Sequence, residues 1–236
     1  DPGHEFLDVV EQLSGAGAVY PAGGAYPPIN CLGFAGNYAT STTEGPSPTS
    51  DEIGAIMACF DTPNQLPVIY QLATSFTLCD HWFSSLPGPT WPNRFFVHGA
   101  SSNGLDHSPT TTQMTGWETA SGFVFPHGSI FDAMRNDNLT YRLYNDRDNM
   151  FSDDPQNGSV FGKIPQVSSL TGIQMYSVNS LSDFANDLSS NYSAQYTFIE
   201  PNYGDVNSGS YAGGSSQHPM DDVYGGESLI KYVYEA

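Results

Sequence analysis

The sequence predicts an α/β domain built on a mainly parallel sheet. Helical and strand-like segments alternate three times along the chain, and the strand-like segments are short apolar runs bounded by turn residues. A last amphipathic segment, DDVYGGESLIKYVYEA (221–236), opens on acidic residues, as a helix N-terminus prefers.

Taken in order, residues 14–50 are rich in Gly, Pro, Ala, Ser and Thr with little periodicity, which predicts a long irregular excursion. The stretch TPNQLPVIYQLATS predicts a helix from Leu66, and FTLCD (76–80) a short strand ending on Asp80. HGSIFDAMRND (127–137) sets Ile130, Phe131 and Met134 on one helical face, and TYRLYND (140–146) follows as a strand. SLSDFANDLSS (180–190) repeats the helix and AQYTFIEP (194–201) the strand, ending on Glu200. No repeat or linker divides the chain, so residues 1–236 are expected to form one domain. In parallel sheets the ligand site lies beyond the carboxyl ends of the strands, which directs attention to Asp80, Glu200 and the loops after them.

Only 6 basic residues face 25 acidic ones, a formal charge of −19 over 236 residues. That balance argues against nucleic acid or an anionic membrane as a general surface partner. No apolar run approaches the length of a membrane span. An acidic surface and sequons at Asn138, Asn157 and Asn191 predict a secreted glycoprotein. Cys31 and Cys59, both in loop-rich sequence, form the expected disulfide pair; Cys79, in an apolar run, is expected to be buried and unpaired.

The stretch SSLPGPTWPNR (84–94) raises the chemical question. Its prolines and glycine rule out a helix or central strand at 87–89, while Pro92 is tolerated in a first helical turn. Thr90 is therefore placed at the mouth of a helix, where unpaired N–H groups and the dipole attract an anion. Two roles fit a hydroxyl there: a cap, or a nucleophile. A Walker-type Gly-rich loop and a G-x-S-x-G elbow are both missing, which argues against a nucleoside triphosphatase and a carboxylesterase. His4 (DPGHEF) and His218 (SQHPMDD) sit among turn residues and carboxylates and are the candidate site histidines, whereas His81, His98, His107 and His127 read as structural. Asp221 and Asp222 fit either a divalent cation or the start of a helix, and Glu200 fits either a pocket wall or a strand end.

The segments DPGHEF, CDHWFSSLPGPTWPNR, FIEPNYGD and HPMDDVYGGESLIKYVYEA, in that order, resemble the phosphoesterase family of phosphatidylcholine-type phospholipases C and related acid phosphatases. The resemblance spans nearly the whole chain and implies an alkaline-phosphatase-like α/β/α sandwich. It also implies a hydrolase of phosphoric esters, phospholipid or soluble monoester. On it Thr90 is the nucleophile and shares a divalent metal ion, His4 and His218 contact phosphate or move protons, and Asn93 neighbours the phosphate. The family's acidic metal motifs flank the region matched here. The chain therefore resembles an internal, partial catalytic domain with an incomplete sheet, whose other metal ligands lie outside it. The rival expectation is a non-catalytic secreted binding or surface protein on the same scaffold.

Overall fold

In a computed structural model, residues 1–41, 46–146, 165–173, 177–204 and 211–236 are described. The elements follow in chain order: α1 (Phe6–Ser14), α2 (Phe34–Thr40), α3 (Ser50–Ala55), α4 (Pro67–Ser75), α5 (Thr90–Gly99), α6 (Thr111–Gly116), α7 (Ile130–Asn136), β1 (Tyr141–Asn145), α8 (Pro165–Ser168), β2 (Val178–Ser180), α9 (Phe184–Ser189), β3 (Tyr196–Glu200) and α10 (Val223–Glu235). Among the described residues the sheet has three strands in the order β2-β1-β3, all parallel.

Alternation along the central strand explains the layering. Successive side chains of a strand point to opposite faces. Leu143 of β1 joins a core of Phe95, Phe123, Phe125 and Phe131, whereas its neighbour Tyr144 joins Leu181 and Phe184 on the other side. β3 repeats the division, Phe198 packing on the first core and Ile199 on the second. Helices α5 and α7 cover one face; α9 and α10 cover the other, through Phe184, Leu229 and Val233. The result is an α/β/α arrangement, with β1 buried on both sides.

Local chemistry accounts for several boundaries. α7 starts where Ser129 caps it, its hydroxyl accepting the Asp132 N–H at 3.2 Å while the Asp132 carboxylate accepts the Ser129 N–H at 2.6 Å. Phe131 and Met134 are buried as the helical spacing requires. α4 begins at Pro67, where a missing N–H costs nothing. Its other free amides meet a distant partner: the Glu227 carboxylate on α10 accepts the N–H groups of Val68 and Ile69 at 2.6 and 3.2 Å.

Four expectations are corrected. FTLCD forms no strand, and Asp80 lies in an exposed turn; among the described residues no strand pairs with this stretch, and an extended run without a partner leaves its ladder groups unmet. Cys79 is exposed, not buried, because the strand that would have turned it inward is not formed. Cys31 and Cys59 are free thiols on the surface rather than a disulfide. The excursion at 14–50 is not wholly irregular, since α2 forms within it. The strand β2 went unanticipated; at three residues it is too short for an alternating pattern.

Candidate active site

The DPGH segment is held by buried amides rather than by a regular element. Gln12 of α1 donates to the Gly3 carbonyl and, at 2.8 Å, to Asn37 Oδ1 of α2. Asn37 Nδ2 in turn donates to Asp8 at 3.0 Å, and the Ser41 hydroxyl donates to the Asp1 carbonyl at 2.8 Å. Gly3 is required by close approach, since a Cβ there would fall 2.5 Å from the Asp8 carboxylate. Short α2 therefore serves to pin the first residues in place.

The Pro-Gly-Pro turn is stitched by one side chain. Asn93 Oδ1 accepts the Leu86 N–H at 3.0 Å, and its Nδ2 lies 2.9, 3.2 and 3.1 Å from the carbonyls of Leu86, Gly88 and Pro89. Pro89 is the residue before the helix and Thr90 its first residue, so Thr90 occupies the opening turn but makes no side-chain cap. Its exposed side chain stands free for another use.

The third part is the loop before α10. The Ser215 N–H donates to the Asn202 carbonyl at 2.7 Å, and its hydroxyl donates to Asp146, just past β1, at 2.6 Å. Asp221 accepts the Ser216 hydroxyl at 2.8 Å, and the Ser216 oxygen accepts the His218 N–H at 3.1 Å. Asp222 caps α10 by accepting the Tyr224 N–H at 2.9 Å. The two aspartates are thus engaged in shaping the loop and starting the helix. The buried Tyr211 ring stacks on His218 at 4.0 Å and 9°.

These three parts meet in one cavity of about 630 Å3, lined by Asp1, His4, Thr90, Gln166, Tyr203 and His218 among others. Asp1 Oδ2 is buried and lies 3.4 Å from His4 Nδ1 and 3.8 Å from His218 Nε2, so one carboxylate is within ion-pair reach of both rings. His4 Nδ1 faces the Pro2 carbonyl at 3.4 Å, which assigns the proton to Nδ1 and leaves Nε2 as an acceptor in the neutral ring. His218 has the opposite tautomer: Nδ1 accepts the Met220 N–H at 3.3 Å, so Nε2 carries the hydrogen. One ring is arranged to accept a proton and the other to donate a hydrogen bond.

Behind Thr90, one helical turn on, Arg94 is committed elsewhere. It lies 2.6 Å from Glu200, 2.9 Å from the Tyr203 hydroxyl and 3.2 Å from Gln166 Oε1. Burial opposes its charge most strongly, but the Glu200 carboxylate and the Tyr203 hydroxyl together outweigh it and raise the guanidinium above its ordinary range. The Tyr203 hydroxyl is raised as well, by burial first and then by Glu200. Glu200 is accordingly the buried partner of Arg94 at the strand end and is not among the residues lining the cavity.

Asn93 is likewise not among the lining residues, its amide being turned onto the loop; it positions Thr90 from behind. Asp1, Tyr203 and Gln166 were not singled out in the sequence. For Asp1 a signal existed, the DPGH segment that carries His4. Among the described residues no group of three or more His, Cys, Asp or Glu side chains is placed to hold a metal ion. The residues present therefore do not fit the complete metal site that the resemblance implies.

The sequence aligns at 30% identity with non-specific phospholipase C3 of Arabidopsis thaliana over 236 residues, covering 100% of this chain and 39% of that protein. Non-specific phospholipases C4 and C6 of the same plant are also 30% identical, with 38% of each covered. The chain thus spans about two-fifths of the length of these relatives. A family model described as the phosphoesterase family matches residues 1–236. The chain belongs to the phosphoesterase family.

Proposed function

We propose that this chain carries the nucleophile and acid–base groups of a phosphoric ester hydrolase of the phospholipase C or acid phosphatase type. The observation that carries the reading is the meeting of His4, Thr90 and His218, far apart in sequence, in one cavity at a helix N-terminus. His4 Nε2 takes the Thr90 proton as Oγ1 attacks phosphorus. The bond from phosphorus to the leaving oxygen breaks, that oxygen takes the proton now on His4 Nε2, and the His218 Nε2–H donates a hydrogen bond to it as charge develops. Water then attacks the phosphothreonine and gives a proton to His4 Nε2, which returns it to Thr90 as the bond from phosphorus to Oγ1 breaks. Amides at the start of α5 stabilise the non-bridging oxygens, the same backbone feature that favours anions at helix N-termini.

Arg94 cannot supply the missing positive charge while it is paired with Glu200. A divalent metal would supply that charge, but its ligands are not assembled among the described residues. The names of the relatives favour a phospholipid ester over a soluble monoester. The reading also keeps secretion and glycosylation: Asn138 and Asn191 are exposed, and Asn157 lies outside the described residues.

Turnover of a chromogenic phosphate ester and of a phosphocholine ester, with and without chelator, tests this. Thr90→Ala is expected to fall to background and Thr90→Ser to retain part of the rate, with far-UV circular dichroism unchanged. Turnover that survives Thr90→Ala would reject the nucleophile. No turnover by the wild type with any divalent metal would favour the binding-protein alternative.

A further inference from the structure

From Gln12 to Thr43 the sequence contains no Asp, Glu, Lys, Arg or His, in a chain of net charge −19. Within that stretch Val19, Tyr26, Ile29 and Leu32 are 75%, 56%, 68% and 79% exposed. Around Ile29 and Leu32 the backbone is fixed by hydrogen bonds. The Asn30 and Cys31 N–H groups both donate to the Leu13 carbonyl at 2.8 Å, using an acceptor that the end of α1 leaves open. Asn30 Nδ2 donates to the Ser14 carbonyl at 3.0 Å, and Asn30 Oδ1 accepts the Leu32 N–H at 2.9 Å. The loop is thus tied down at Asn30 with apolar residues on either side of it pointing to solvent.

The same face reaches the cavity through one aromatic residue. Phe6, two positions after His4, has its ring 5.1 Å from Tyr20 and 6.3 Å from Tyr26, and those two tyrosines lie 4.8 Å apart. The Phe6 backbone also packs against the Gly88 turn, its Cα 3.6 Å from where a Gly88 Cβ would stand. Gly88 and His4 both line the cavity. A pinned, uncharged, tyrosine-bearing apolar surface therefore adjoins the cavity wall.

We infer that this surface, centred on Tyr26, Ile29 and Leu32, docks the protein onto an electrically neutral, zwitterionic lipid surface. Apolar side chains flanked by tyrosines suit the boundary between headgroups and acyl chains, where one end of the ring is apolar and the other wet. Charge selects the lipid. An acidic protein is repelled by an anionic leaflet, and the longest stretch without charge, residues 12–43, includes a part that can approach closely. The value of its position beside the cavity rests on the proposed hydrolysis of a lipid ester; adsorption itself does not.

Flotation of the protein with phosphatidylcholine vesicles, read without any turnover, is the test. The wild type is expected to float with the vesicles at low and high salt and to float less with vesicles rich in phosphatidylserine. The double variant Ile29→Asp/Leu32→Asp, its fold checked by circular dichroism, is expected to lose about tenfold or more of the bound fraction. A wild type that stays with the soluble fraction, or a double variant that floats like the wild type, overturns the proposal. So does a concentration-dependent dimer that the double variant abolishes in place of flotation, which would assign the face to a second copy of the chain. An enzymatically silent protein that floats and is released by the double substitution upholds the docking surface while the hydrolase reading falls.

Discussion

Arg94 Nη1 lies 2.6 Å from Glu200 Oε2, joining the helix that opens on Thr90 to the end of β3 across 106 positions of sequence. Glu200 also accepts the Tyr203 hydroxyl at 3.0 Å, so the carboxylate uses both oxygens. The pair ties the floor of the cavity to the sheet.

Removing one partner should therefore be far worse than removing both. Arg94→Met leaves the buried Glu200 carboxylate without its cation, which costs about 3–5 kcal/mol. Arg94→Met/Glu200→Leu is expected to be more stable than Arg94→Met, because neither charge is then buried alone. Urea unfolding of the three proteins checks it, and equal losses in the single and double variants would show that the charges are not coupled.

Glu227 should stabilise a helix it does not belong to. Glu227→Ala strands the Val68 and Ile69 N–H groups at the start of α4, at a cost of about 1–2 kcal/mol. Glu227→Gln, which keeps one acceptor oxygen, is expected to lose less. Hydrogen exchange at the Val68 and Ile69 amides should accelerate in the alanine variant, and unaltered exchange there would contradict the capping role.

His98 should set part of the acid limit of the fold. Among the described residues both of its buried ring nitrogens lack a hydrogen-bond partner, and the ring packs against Phe131 and Phe198. Burial, and then the nearby Arg94 charge, lower its pKa to about 4 from 6.5. Between those values the unfolded chain binds the proton and the folded one does not. Stability from the neutral ring is thus full above pH 6.5 and lost as pH falls toward about 4, by about 3 kcal/mol in all. A His98→Phe variant should show a flatter loss of stability from pH 7 to 4; an unchanged slope would mean that His98 does not titrate there.

Cys31, Cys59 and Cys79 should all react with a thiol reagent in the native protein, since all three are free and exposed. A titration that finds one native thiol, rising to three only after reduction, would restore the Cys31–Cys59 bridge.

Legibility in the sequence followed the range of the interactions. The spacing of Ile130, Phe131 and Met134 lies within little more than one helical turn, and α7 was read from it; the Ser129 and Asp132 capping pair that starts the helix is as local but was not read. The parallel strands β1 and β3 were read from short apolar runs between turns. FTLCD carries an equally good strand pattern, yet it forms none, because pairing requires a neighbour that its own residues cannot specify. Asn93 is a phosphate neighbour on the family resemblance alone; its four contacts with the turn follow from how the Pro-Gly-Pro loop folds back on the helix, which no local pattern specifies.

By itself the sequence determined the α/β class, the helix that opens at Thr90 and the absence of a basic face, since periodicity, proline placement and charge are carried by adjacent residues. It also contained the DPGH, PGPTWPNR and HP segments that mark the family. Only the tertiary structure decided that Asp1 stands between His4 and His218, that Arg94 is consumed by Glu200, and that Glu227 caps α4. Each of these relations links a charge to a partner on another element. The energy of such a pairing depends on the distance and burial reached after folding, and no local pattern of residues encodes either.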